Sequence, residues 1–252
     1  MPSIPVIHLD RVYHVGSLDP SDRGRLHRSS QEGPCLSVSL CPDAWTAIAR
    51  LGGSDLFALE RHGGAFLDVH AAMADASLRE TVVRWAEAEG LIAFRERWKA
   101  WSFDDETEEW TYFTLDSRAD AEAEVDEFAP GPDGGPAIEV TMGYVATGEL
   151  SRRLGCPRFD DVFALEFAAM AWARDVAPTL TGRAFDGVWF LEDYAPERHS
   201  APRGGIFPEA IPGWEAIGLP RNSVDDEDAL ATMPDTTFLP STAVPKAPSP
   251  GT

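Results

Sequence analysis

RAFDGVWFLEDYAPERHSAPRGGIFPEAIPGW, residues 183–214, carries two short strands and the charged residues that bracket them. Val188-Trp189-Phe190-Leu191 follows the punctuation of Asp186-Gly187 and is an apolar run of the length that a fully buried strand requires. Glu192 stands at its end. After a polar loop, Arg203-Gly204-Gly205-Ile206-Phe207 predicts a second strand, whose glycines let another group approach the backbone closely. Pro208-Glu209 closes it.

Outward from this stretch, the spacing predicts alternating strands and helices. Arg11 to Ser17 reads as a first strand. Leu36-Ser37-Val38-Ser39-Leu40 alternates apolar and hydroxyl residues in period two, which predicts a half-buried strand with both serines on one face. Pro42 suits the first turn of a helix, Ala44, Ile48 and Leu51 fall on one side, and Gly52-Gly53 stops it. Residues 55–59 and 65–69 flank Arg61-His62-Gly63-Gly64, the pattern of a β-hairpin. Ser77 and Glu80 form a capping box for a helix ending near Gly90. Trp98, Trp101 and Phe103, then Trp110, Tyr112 and Phe113, predict two aromatic strands joined by an acidic turn; helical spacing through Trp101 is the alternative. A strand at 137–142 and a largely buried helix over 160–176 complete the pattern.

These elements predict an α+β fold of two small, packed mixed or antiparallel sheets with peripheral helices. One domain spans residues 4–220, with an acidic insertion near 104–135. From Asn222 the chain is acidic and then rich in proline, which predicts a disordered tail over 222–252, with Phe238-Leu239 as a candidate short docking segment.

A formal net charge of −21, from 42 acidic and 21 basic residues, argues against binding a nucleic-acid backbone or an anionic membrane, because both contacts rest on clustered Lys and Arg. Cys35, Cys41 and Cys156 do not make a disulfide framework and read as reduced and buried. The opening MPSIPVIHLD lacks a basic stretch followed by an apolar one, which predicts a cytoplasmic protein, although delivery by a signal-less secretion route leaves no such mark. His8 with His14, and His62 with His70, lack zinc-ligand spacing, so no metal is expected.

The order Tyr13-His14-Val15-Gly16-Ser17, then Leu36-Ser37-Val38-Ser39 running into a helix, then a late strand ending in Glu192, resembles the ADP-ribosyltransferase superfamily, many of whose members have a YHGT-like first strand, a serine-rich strand and a late glutamate. The resemblance leaves residues 55–142 unassigned, and Val15 intrudes between His14 and Gly16. It implies an ADP-ribosyltransferase-like fold and a toxin- or effector-type transferase that consumes NAD, releases nicotinamide and modifies a protein or small molecule, with a cognate antitoxin or immunity protein as a partner. His14 would bond a ribose hydroxyl, Ser37 or Ser39 would support the nicotinamide pocket, and Glu192 would stabilise the oxocarbenium-like charge, with Glu209 in reserve. Arg203 would take the pyrophosphate.

A second class of function fits the same composition. An acidic inhibitor, immunity factor or nucleic-acid mimic would use its charge, notably over 104–127, against a basic partner and some of its eight tryptophans as anchors. The two classes differ in geometry: the binder needs its acids on one exposed face, whereas the enzyme needs His14, Ser37 and Glu192 to converge in a cleft.

Overall fold

The computed structural model describes residues 3–19, 32–104, 109–125, 138–156, 163–198 and 200–240. Its frame is a pair of long antiparallel strands, β1 (Ser3–Val15) and β3 (Leu56–Asp68), in register from Val6↔Leu67 to Val15↔Leu56. Their pairing shifts between Leu9↔Gly64 and Arg11↔Glu60, so Asp10 faces the three residues Arg61, His62 and Gly63. The predicted hairpin turn is therefore a bulge inside one continuous strand. Glycine punctuates bulges as it does turns: Gly63 adopts φ +65°, its N–H donates to Asp10 Oδ1 at 2.6 Å, and a Cβ on Gly64 would lie 2.6 Å from the Trp214 ring.

Three short strands close this ribbon on itself. β2 (Leu36–Ser39) joins the end of β1 through Tyr13↔Ser39, β8 (Arg203–Ile206) pairs antiparallel with β2, β7 (Gly187–Phe190) pairs antiparallel with β8, and β7 runs parallel to the end of β3. Two further strands extend the sheet to seven, β9 (Glu215–Leu219) along the start of β3 and β10 (Thr237–Pro240) along the start of β1. A separate antiparallel sheet has the order β5-β4-β6, from β4 (Ile92–Asp104), β5 (Glu109–Leu115) and β6 (Ile138–Ala146). The aromatic strands thus form as a hairpin, with Trp101 opposite Tyr112.

Strand alternation sorts the core into two sides. Ile7, Leu36, Val38, Phe66, Trp189 and Ile206 cluster on one face of the closed sheet, where a Cβ on Gly204 would sit 2.4 Å from the Trp189 ring. Ile4, Val6, Leu67, Val188 and Phe190 face the other way, against helices. Those helices are α2 (Val69–Ala74), α3 (Ala76–Ala88), α5 (Gly148–Leu154), α6 (Ala164–Asp175) and α7 (Ala177–Thr181), while α1 (Pro42–Ile48) lies beyond β2 and α4 (Arg118–Val125) beside β4. Burial of Phe167 and every residue from Ala168 to Ala173 accounts for the wide apolar stripe of α6. The N-cap of α3 is Asp75, whose side chain accepts from Leu78 N–H at 2.7 Å, rather than Ser77. Asp and Ser both cap helices, and here the earlier residue has the extended backbone that a cap needs.

The architecture is α+β with one mixed and one antiparallel sheet. The expected acidic insertion contains α4, and its residues 105–108 and 126–135 lie outside the described residues. The stretch expected to be a disordered tail instead contains α8 (Asp226–Ala231) and β10, both tied to the body, up to residue 240; residues 241–252 lie outside the described residues. Asp226 accepts from the N–H groups of Asp43 and Ala44 at the start of α1, and Thr236 Oγ1 donates to Asp68 Oδ2 at 2.7 Å. Apolar contacts add to these bonds, since Val224, Ala229, Leu230, Met233 and Leu239 pack against the core. Among the described residues no helix is long and apolar enough to cross a membrane.

Candidate functional site

The three pieces of sequence that carried the transferase resemblance do come together. Tyr13 pairs with Ser39, Ser39 with Arg203, and Arg203 with Phe190, so the ends of β1, β2 and β7 meet on one rung of the closed sheet. Glu192 lies two residues beyond that rung. Strands adjacent in space but about 150 residues apart in sequence were required for a site, and this chain has them.

The side chains there are engaged with one another. His14 is buried, with Nδ1 2.8 Å from the Ser37 carbonyl and Nε2 3.1 Å from that of Ser17, so main-chain oxygens flank both nitrogens and the neutral ring donates to one of them, according to its tautomer. Ser39 is fully buried; its hydroxyl donates to the Pro202 carbonyl at 2.7 Å and accepts from Cys41 N–H at 3.0 Å. The Ser37 hydroxyl is buried without a hydrogen-bond partner among the described residues. Both serines are thus covered, contrary to the half-buried strand expected from alternation. The turn before β2 and the side chain of Arg203 occupy the face that periodicity alone assigns to solvent.

Arg203 is the centre of this cluster. Its Nε lies 2.7 Å from Oε1 of Glu32, at ion-pair distance though off the line of a good hydrogen bond, and its terminal nitrogen donates to Glu192 Oε2 at 2.9 Å. The guanidinium also sits 5.4 Å from the centre of the Trp45 ring, within cation–π range. Glu32 is fully buried and the Glu192 side chain is 17% exposed. Ser200 Oγ is 3.4 Å from Glu192, but its closer acceptor is the Asp193 carbonyl at 2.8 Å. Glu209 lies elsewhere: it follows the far end of β8, is exposed, and stands 4.0 Å from Arg174. Of the six residues singled out for NAD chemistry, five therefore lie around the rung and Glu209 does not.

A different region has the open geometry of a binding site. A cleft of about 760 Å³ runs between the middle of β1 and β3 and the segment that enters α8. Tyr13, Leu40, Leu219 and Val224 give it apolar wall, and Asp10, Glu60, Asp225 and Asp228 supply four carboxylates against one guanidinium, Arg11. Arg11 Nε donates to Glu60 at 2.7 Å, and this bond, with a further one to Tyr13, raises the guanidinium pKa. Asp225 also caps α8, accepting from the N–H groups of Glu227 and Asp228. The bulge places Asp10 at this face, beside the fully exposed His62. None of the four acids stood out in sequence, because Asp10 and Glu60 are isolated and Asp225 and Asp228 belong to the run read as tail. The one available signal was Asp225 followed by acidic residues, the pattern of a capped helix start.

Two acids of the predicted insertion are held in local ion pairs. Asp116 pairs with Arg95 and Arg97 at 3.1 and 3.3 Å, and Glu122 pairs with Arg118. Among the described residues no three His, Cys, Asp or Glu side chains are grouped to hold a metal ion.

No protein-family model, curated protein or solved structure matches the chain.

Proposed function

We propose that this chain is a binding protein that takes a basic, Arg- or Lys-bearing segment of a partner protein into the acidic cleft between β1, β3 and α8. The observation that carries this reading is the cleft itself, lined by four carboxylates beside an apolar wall, with its one lining arginine already paired. Arg and Lys match such a surface twice, since the aliphatic stem packs on apolar side chains while the head meets carboxylates. A net charge of −21 adds long-range attraction for a cationic partner. The inhibitor or immunity-factor class is the natural home of this chemistry.

Titration calorimetry of an arginine-rich peptide into the full chain tests it. Binding should weaken as salt screens the charges, and the double variant Asp10→Asn, Asp228→Asn should lose about tenfold or more in affinity, since each substitution removes a charge but keeps an acceptor oxygen. Binding that is indifferent to both changes sinks the proposal.

The second reading is an NAD-dependent ADP-ribosyltransferase with His14, Ser37, Ser39, Arg203 and Glu192 around NAD. The meeting of β1, β2 and β7 on one rung favours it. Against it weigh the burial of His14 between two main-chain carbonyls and the ion pair that neutralises Glu192. Nicotinamide release from NAD that Glu192→Gln abolishes, without loss of folding, would promote it; no release with any cell extract as acceptor would remove it.

A further inference from the structure

β6 forms one edge of the three-stranded sheet, and among the described residues no strand pairs with its outer side. The register Phe94↔Tyr144, Glu96↔Met142 and Trp98↔Val140 places these side chains on one face. That face is covered at one end, where Ile92 and Ala146 join the helix-packed core, and at the other, where Arg118 of α4 sits 5.8 Å from the Trp98 ring. Between these ends Phe94, Met142 and Val140 are 53%, 53% and 48% exposed, and Phe94 contacts Tyr144 with ring centroids 4.9 Å apart.

A nine-residue edge with an apolar face is normally blunted by lysine, proline or brevity. β6, IEVTMGYVA, has none of these and one charge, Glu139. The local charge is equally unusual for this chain. β4 from Ile92 to Ala100 carries Arg95, Arg97 and Lys99, which Glu96, Glu139 and the Asp116 paired with both arginines offset, so this patch is close to neutral on a protein of net charge −21. It is a place where two copies can approach without mutual repulsion.

We infer that a second copy of the chain covers this edge, through antiparallel β6–β6 pairing about a two-fold axis at Met142. In that register Val140 of one copy opposes Tyr144 of the other, Thr141 opposes Gly143, and Glu139 opposes Val145, so no carboxylate faces a carboxylate. The Phe94, Met142 and Val140 strips of the two copies join across the axis, and the two small sheets become one of six strands. Such an isologous contact is the commonest route to a dimer. It leaves the acidic cleft of each copy open, because the cleft is built on the other sheet.

Sedimentation equilibrium of the full chain should give a mass rising with concentration from 27.5 kDa toward twice that value. Met142→Lys sets two ammonium groups opposite each other at the axis and should weaken association by about tenfold or more, with an unchanged circular dichroism spectrum because the side chain is exposed in the monomer. Met142→Cys should cross-link with a mild thiol oxidant, since directly opposed residues place their Cα atoms about 4.5–5.5 Å apart, within disulfide reach; the three native cysteines are buried and do not compete. If Met142→Lys misfolds, Val140→Lys tests the same strip. A chain monomeric at every concentration overturns the inference, as does a dimer of wild-type affinity that a folded lysine variant leaves intact.

Discussion

Replacing Arg203 by methionine keeps most of the side-chain volume and removes the cation that, among the described residues, pairs with two carboxylates, one of them fully buried. Glu32 cannot reach water where it lies, and Glu192 is only 17% exposed, so the variant must bury uncompensated charge or rearrange. Breaking a buried pair in this way costs about 3–5 kcal/mol, a large part of the roughly 5–15 kcal/mol that stabilises a native domain. At a denaturant slope of about 3 kcal/mol per molar urea, the midpoint should fall by about 1–1.7 M. Adding Glu32→Gln to Arg203→Met should recover part of that loss, because it removes the stranded charge, and the two substitutions should be far from additive. Urea unfolding followed by tryptophan fluorescence and circular dichroism measures all four members of the cycle. If Arg203→Met unfolds within about 0.3 M of wild type, or if Glu32→Gln adds its own full cost on top, then Glu32 and Arg203 do not form the buried pair described, and Arg203 regains its claim as a ligand-binding residue.

Asp226→Ala leaves the N–H groups of Asp43 and Ala44 without their acceptor and should cost about 1–2 kcal/mol, read as a shift of the urea midpoint. Burial raises the Asp226 pKa above 3.8, helped by the Asp43 and Asp225 carboxylates and opposed by the two N–H donors. The folded state therefore holds this proton more tightly than the unfolded chain, and its contribution to stability is lost as pH rises from about 3.8 through the raised value. Asp226→Asn should flatten that part of the pH profile, and an unchanged slope would contradict the assignment. The thiols should be inert in the folded chain, since burial pushes Cys41 up to about 12 and Cys35 higher still; a thiol-reactive dye at pH 8 should label none natively and all three in urea. Ending the chain at residue 221 removes α8 and β10, so it should destabilise the fold and abolish binding of the basic peptide, whereas a dispensable tail would leave both unchanged.

The local elements were legible because each rests on a short-range cause. Val188 to Phe190 is apolar throughout and is a buried strand; Pro42 opens a helix; Trp101 and Tyr112 alternate correctly and pair. What was misread depends on partners distant in sequence. Gly63-Gly64 looks like a turn until β1 runs along both halves of β3, and only then does the same pair become a bulge. Ser37 and Ser39 look like a wet face until Arg203, more than 160 residues later, is laid across them. Asp225 to Asp228 looks like a solvated run until α1 needs an acceptor for its first N–H groups, which Asp226 supplies.

The same cause separates the two candidate sites. Where the resemblance placed catalysis, the chain has assembled polar residues of opposite character in mutual contact, and, Ser37 excepted, they face inward: carbonyls flank both nitrogens of His14, one accepts from Ser39, and an arginine lies between two glutamates. A group satisfied by the protein has little to offer a ligand, since binding must first break what folding made. The cleft has the opposite economy. Asp10 accepts from Gly63 N–H and Asp225 caps α8, but both stay exposed and charged, as does Asp228, and of the four only Glu60 is neutralised, by Arg11. Like charges held on one face by β1, β3 and α8 repel one another and are relieved by an incoming cation, so their convergence is favourable only in the bound state. Neutralising Asp10 or Asp228 should then leave the free protein as stable as before or slightly more so, while weakening the complex, which is the signature of residues kept for a partner rather than for the fold.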